Sequence, residues 1–291
     1  MINQNQTNRS SELHYASSSI MAKRAENFAL VTGASSGIGY AIAEEMARKK
    51  LPLVLVALPG TGLKGVAQTL ARKYNIEVYS FSVDLTQPDG PFNLLKACES
   101  ININILVNNA GFGIPPGLFA DSDLSDLQGM MALNNHALVT LTYLFIPKLK
   151  KAGRAYIMNV GSLASLFNIP YKAVYSATKS FVYSFSAALR LELKPNNIFV
   201  SCLCPGVTLT SRIRDFQEQS GKKIPFTQMP EAVAQTAVKQ LFRKQFKIVP
   251  GIYNQLMFGV SRFLPGFIID KILSRKFKPL PLSAFKLALP E

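Results

Sequence analysis

The stretch Phe28-Ala29-Leu30-Val31-Thr32-Gly33-Ala34-Ser35-Ser36-Gly37-Ile38-Gly39 decides the fold. Its four apolar residues predict a short buried strand, and the glycines that follow predict a turn. Tyr40 to Lys49 then reads as a helix with Ala41, Ile42 and Met46 on one face. A strand that enters a helix through glycines leaves backbone N–H groups unpaired at the positive end of the helix dipole. Such a helix end is a ready seat for a phosphate. Gly33 permits the tight turn, Gly37 lets a pyrophosphate approach the backbone, and Gly39 lets the helix pack onto the strand. The spacing is Gly-x-x-x-Gly-x-Gly, not Gly-x-Gly-x-x-Gly.

Outward from this turn, strand and helix alternate. Strands are expected over 53–57, 77–83, 103–107, 155–160 and 198–203, and helices over 62–74, 124–151 and 175–193. Strands rich in Val, Ile and Leu, each joined by a helix, predict an α/β fold: one parallel sheet of about seven strands, doubly wound and Rossmann-like, with helices on both faces. Ligands of such sheets sit at the carboxyl ends of the strands, and each conspicuous polar motif here falls just after a strand. Residues 26–250 are expected to form this domain. Residues 1–25 are polar and Ser- and Asn-rich, expected disordered, with Met21 an expected alternative start, and 251–291 are expected to form a basic, apolar helical extension.

The chain has 291 residues, 48% hydrophobic, with a net charge of +15. Ten of its Lys and Arg residues fall between Lys239 and Lys286 against one acid, Asp270, in a stretch rich in Phe, Ile and Leu. That mixture argues against nucleic acid as the partner and suits an acidic lipid surface. Cys98, Cys202 and Cys204 show neither a Cys-x-x-Cys pair nor metal-ligand spacing, so no metal is expected and a cytoplasmic, reducing setting is. No apolar run reaches the length of a membrane span.

The chemistry centres on Ser162 and Tyr175-Ser176-Ala177-Thr178-Lys179. Tyr175 and Lys179 are spaced to share a helix face. A free tyrosine ionises near pH 10, and a neighbouring ammonium favours the phenolate. Of the ten tyrosines only Tyr175 has a lysine four residues on. Ser162, after the strand at 155–160, is placed to hydrogen-bond a substrate oxygen. Asn108-Asn109-Ala110-Gly111 follows the fourth strand and suits a backbone that passes close to a ligand, or an ordinary Asx-rich turn. Asp84, followed by Leu85, either accepts from an adenine amine or caps the next turn. Asn134, in the run Asn134-Asn135-His136, is out of place in an otherwise apolar helix.

Together, Thr32-Gly33-x-x-x-Gly37-x-Gly39, Asn108-Asn109-Ala110-Gly111, Asn134, Ser162, Tyr175-x-x-x-Lys179 and Pro205-Gly206-x-x-x-Thr210 resemble the short-chain dehydrogenase/reductase family in order and spacing, over about 27–210. The resemblance implies an oxidoreductase that moves hydride between NAD(P)(H) and a carbonyl or secondary alcohol. Tyr175 would exchange the proton, Lys179 would lower its pKa and hold the nicotinamide ribose, Ser162 would orient the substrate oxygen, and Asn134 would support a water that relays protons. Gly33, Ser35, Ser36, Gly37, Ile38, Gly39, Asp84, Leu85, Asn109, Ala110, Gly111, Tyr175, Lys179, Pro205, Gly206, Thr208 and Thr210 would hold the cofactor. At the end of the second strand stands Ala57-Leu58-Pro59, with neither the Arg of NADPH users nor the Asp of NADH users. The missing carboxylate removes repulsion against a 2′-phosphate, and Lys64 is near, so NADP(H) is expected over NAD(H).

From 253 to 276 apolar residues recur at helical spacing beside Arg262, Lys271, Arg275 and Lys276. The simpler expectation is a helix packed on the body or on a second subunit; the other is a segment lying on an acidic bilayer. The long helices resemble those that pair subunits in the family, so a homo-oligomer is expected. A lipophilic ketone or alcohol, acyl or sterol-like, is the expected substrate. Two other readings are weaker. A serine hydrolase built on Gly33-Ala34-Ser35-Ser36-Gly37 would depend on His136 and leave Tyr175 and Lys179 without a role. A cofactor-binding sensor without turnover has no use for an activated phenol.

Overall fold

In the computed structural model, which describes residues 27–114, 116–221, 223–261 and 263–276, seven strands form one sheet. They are β1 (Phe28–Thr32), β2 (Leu53–Ala57), β3 (Val78–Ser82), β4 (Ile103–Asn108), β5 (Ala155–Val160), β6 (Ile198–Leu203) and β7 (Lys247–Ile248). All neighbours are parallel, in the order β3-β2-β1-β4-β5-β6-β7. The chain reverses its direction of travel across the sheet between β1 and β4, and the expected doubly wound architecture is the one found.

Apolar residues on both sides of each strand explain why the sheet is covered twice. Ala29, Val31, Leu53 and Leu55 face a layer made by α1 (Gly37–Arg48), α2 (Leu63–Tyr74) and α8 (Pro230–Phe242). Leu30, Val54, Val56 and Leu106 face the opposite layer, which includes α3 (Gly90–Ala97), α5 (Leu138–Lys151) and α6 (Ala173–Leu193). Leu94, Leu141, Phe145 and Leu189 fill that second layer, as a parallel sheet buried on both faces requires.

Several local expectations are corrected. The first helix begins at Gly37, not Tyr40, so its N-terminal N–H groups lie inside the glycine turn. Helix α3 was not anticipated; Pro91 stands in its first turn, and its short apolar face was masked by flanking polar residues. The helix expected over 124–151 is divided: α4 (Leu124–Met131) and α5 are joined by a π-helical turn, Ala132–Ala137. Between β6 and α8 lies α7 (Ser211–Ser220), ended by Gly221 at φ 64°.

After β7 the apolar segment forms α9 (Ile252–Ser261) and α10 (Gly266–Lys276), which follow one another across Pro265. Packing of their apolar side on the body is not what is found. Ile252, Leu256, Val260, Phe263 and Phe267 are all more than half exposed, Phe263 at 89%. Asn254 is the exception, since it is buried and its amide donates to Gln228 Oε1 (2.8 Å) and the Pro250 carbonyl (2.9 Å). No described helix is long and apolar enough to cross a membrane. The N-terminal residues expected to be disordered, including Met21, lie outside the described residues.

Candidate active site

The glycine turn is set by backbone geometry. Gly33 and Gly37 take φ of 64° and 58°, a region that disfavours side chains. A Cβ on Gly39 would stand 2.1 Å from the Gly33 carbonyl oxygen, so helix and turn touch there. Ser36 caps α1 without a side-chain hydrogen bond, and no acid sits in the first turn. The N–H groups of Gly37, Ile38 and Gly39 therefore present an uncancelled positive end, which fits a cofactor pyrophosphate. Ser35 and Ser36 lie on the same turn.

Asn109 and Thr32 lock this turn to β4. The Asn109 amide donates to the carbonyls of Thr32 (2.9 Å) and Gly33 (3.2 Å), while Thr32 Oγ1 accepts from the N–H groups of Asn109 and Ala110 (both 3.0 Å). Asn109 thus acts as a clamp between strand ends, and Asn108, one residue earlier, is buried against Thr142 and Asn159. The Asp84 carboxylate turns back onto Thr86 and Gln87, the alternative in which it caps its own turn. Burial works against the charge on Asp84, but the Thr86 and Gln87 hydrogen bonds prevail and hold its pKa below the ordinary range. Leu85, beside it, is buried in the core.

Pro205, Gly206, Thr208 and Thr210 close the site from the β6 side. Pro205 O accepts from Leu163 N (2.9 Å), Thr208 pairs with Gln228, and a Cβ on Gly206 would collide with the Asn254 amide at 2.5 Å. Thr210 caps α7 and its methyl group would meet a Cβ on Gly37 at 3.0 Å, so this segment lies over the glycine turn. Gln228 and Asn254 were not anticipated as supports, because they lie far along the chain from Gly206 and carry no local pattern.

Tyr175, Lys179, Ser162, Asn134 and Gly111 come together at the ends of β4 and β5. Lys179 Nζ donates to the Val160 carbonyl (3.0 Å), and a Cβ on Gly111 would lie 3.4 Å from it. The ring of Tyr175 lies against Gly113, where an added Cβ would meet ring carbon Cδ2 at 2.7 Å. Ser162 Oγ accepts from Ala164 N (3.1 Å), which orients it at the start of a short turn. Asn134 sits in the π turn, its amide donating to Phe112 O (2.9 Å) and Thr178 Oγ1 (3.2 Å) and accepting from Phe112 N (3.0 Å). The π turn explains how a buried asparagine fits an apolar helix: it is spent bracing the wall of the site. With its side chain so committed, Asn134 acts first as a brace for the loop after β4.

The charge balance differs in one respect from the expectation. Burial raises the Tyr175 pKa, while its hydrogen bond with Ser162 and the guanidinium of Arg212 pull it down. A cation not anticipated from the sequence thus acts on the phenol: Arg212, at the start of α7, which donates to Gly113 O (3.2 Å) and lies over the Phe112 ring. Lys179 is itself strained by burial, its pKa lowered to about 8. Arg212 escaped the sequence reading because it reaches Tyr175 from α7, 37 residues away in the chain. A cavity of about 230 Å³ opens beside Tyr175, with Leu118, Phe119, Leu127, Met130 and Lys172 in its wall. His136, on which a hydrolase would depend, is exposed.

The sequence pattern of short chain dehydrogenases matches residues 27–221. The chain belongs to the short chain dehydrogenase family. It is 26% identical over 260 residues to a very-long-chain 3-oxoacyl-CoA reductase of Mus musculus, covering 87% of this chain and 80% of that one. A solved short-chain dehydrogenase from Sphingobium yanoikuyae, in complex with NADPH, superposes with a TM-score of 0.72 at 27% identity, covering 87% of this chain and 96% of the other. A bulky-bulky ketone specific alcohol dehydrogenase from Comamonas testosteroni gives 0.72 at 26% identity, covering 88% and 96%. As a family member the chain is a nicotinamide-dependent dehydrogenase/reductase.

The buried Lys179 ammonium carries a stability cost with a definite sign. Its folded pKa, about 8, lies below that of an unfolded lysine, near 10.4. Between these values the unfolded chain binds more protons, so stability rises with pH across the window and the cost is fully present below it. Lys179→Met is expected to gain about 2–3 kcal/mol at neutral pH and to lose activity, with the gain fading between about pH 8 and pH 10. Urea denaturation at several pH values measures this; an unchanged or lowered stability at pH 7 would refute it.

Proposed function

We propose that this chain is an NADP(H)-linked reductase of lipophilic ketones, acting on an acyl or sterol-like carbonyl. The observation that carries the reading is the hydrogen bond between Ser162 and Tyr175, with the Tyr175 side chain in the wall of a largely apolar cavity. Tyr175 would give its proton to the carbonyl oxygen that Ser162 also holds, while Lys179 lies one helical turn further along α6. The bound cofactor would supply the hydride. The glycine turn would hold the pyrophosphate, and Ala110, Gly111, Pro205, Gly206, Thr208 and Thr210 would line the cofactor's path. Relatives named for a very-long-chain 3-oxoacyl-CoA substrate and for bulky ketones support a lipophilic substrate.

Lys64, exposed in the first turn of α2 after β2, stands where no carboxylate opposes a 2′-phosphate. A relative bound to NADPH supports the same preference. The outward apolar faces of α9 and α10, with Lys271 and Arg275 exposed alongside, favour peripheral attachment of a cytoplasmic enzyme to an acidic membrane surface. Exposed Tyr143 on α5 and Phe181 and Leu191 on α6 favour a homo-oligomer paired through those helices.

Tyr175→Phe is expected to lower carbonyl reduction by about a hundredfold or more while cofactor binding, followed by fluorescence, changes little. Wild-type turnover in that variant would remove the phenol from the mechanism. NADPH should exceed NADH by at least about tenfold in kcat/KM, and a tenfold preference for NADH would reverse the cofactor assignment. Replacing Phe263 and Phe267 with serine should abolish flotation with anionic vesicles and leave ketone reduction intact. Equal flotation of both forms would end the membrane reading.

A further inference from the structure

Lys172 is the residue of the cavity that the reductase mechanism leaves without a task. It stands at the N-terminal boundary of α6, and its ammonium lies 5.6 Å from the centroid of the Tyr175 ring. The side chain is half-buried, and its ammonium forms neither an ion pair nor a hydrogen bond among the described residues. No Asp or Glu belongs to the cavity wall, which is otherwise dominated by apolar side chains such as Leu118, Phe119, Leu127 and Met130. Burial alone lowers the Lys172 pKa. A structural lysine in an apolar wall normally meets a carboxylate, and this one meets none among the described residues.

Arg212 adds a second cation on the Gly113 side of the same phenol, and its hydrogen bond to the Gly113 carbonyl leaves its charge uncancelled. The wall of the cavity thus carries the Lys172 cation beside the phenol, and apolar side chains such as Leu118 and Phe119 elsewhere. The substrate that fits both is an amphiphile with an anionic group close to its carbonyl.

We propose that Lys172 forms an anion subsite beside Tyr175, which selects lipophilic oxo-substrates carrying a negative charge on the side of the carbonyl opposite the apolar chain. The proposal deepens the reductase reading and rests on it. The anion is a carboxylate, as in an oxo-acid, whose charge lies within a few bonds of the reacting carbonyl; the phosphates of a coenzyme A thioester, at the far end of the pantetheine arm, lie beyond the reach of this ammonium.

Two matched pairs test this: a medium-chain oxo-carboxylate against its methyl ester and, as the pair whose charge is remote from the carbonyl, an oxoacyl-coenzyme A against its N-acetylcysteamine thioester. The oxo-carboxylate is expected to lead its ester by about tenfold or more in kcat/KM, chiefly through KM. That lead should shrink towards equality in Lys172→Met, persist in Lys172→Arg, and weaken with added salt in the unaltered enzyme. Lys172→Gln replaces the methionine variant should that one fail to fold, and the salt series needs no variant. Equal use of the oxo-carboxylate and its ester, with ketones still reduced, overturns the subsite and leaves the reductase standing. A preference that survives loss of the ammonium overturns it too. Failure of the unaltered enzyme to reduce any carbonyl compound sinks both readings together.

Discussion

The site depends on a clamp at the point where the sheet changes direction. β1 and β4 lie side by side there, and Asn109 and Thr32 tie together the turns that follow them. One side-chain amide bridges two carbonyls of the glycine turn, and one hydroxyl accepts two N–H groups of the loop after β4. Each of these backbone groups would otherwise need water or a ligand. With them satisfied, the turn is held in position before any cofactor arrives, and Gly39 can sit in contact with Gly33. Preorganisation of this kind lowers the ordering cost of binding.

The second half of the site is built by similar economy. Asn134 braces Phe112, Asn135 donates to the Thr178 carbonyl, and Thr178 Oγ1 donates back to Tyr175 O. The π turn that carries both asparagines is the device that brings them to face α6. On that frame the titratable groups are held in environments that disfavour their charged forms: Tyr175 and Lys179 are both shifted by burial. Lys179 is thereby displaced towards neutrality, whereas Tyr175, raised above its ordinary value, is held as the protonated phenol that can donate. Stability is lost where chemistry is gained.

The segment after β7 has a divided character. Asn254 and Gln255 at its start bond to Gln228, Pro250 and Val249, and Asn254 occupies the space that leaves Gly206 no room for a side chain. Tyr253 stacks on Phe226 from the loop after α7. The first turn of α9 is thus part of the wall that supports the site, although the boundary of the extension was expected at residue 250. Beyond it, the apolar residues turn outward.

By itself the sequence determined the parallel sheet and the places of its strands, because buried strands carry an unbroken apolar signal that needs no partner to be read. It also determined the glycine turn and the Tyr175–Lys179 pair, whose chemistry is local in the chain. Tertiary structure alone decided that Arg212 reaches the phenol from α7, that Asn109 is a clamp, and that Asn134 sits in a π turn. It also decided that Lys172 enters the cavity and that the apolar side of α9 and α10 faces away from the body. Each of these depends on groups distant in sequence meeting in space, and desolvation, which sets the charges of Tyr175 and Lys179, is a property of the surroundings and not of the residue.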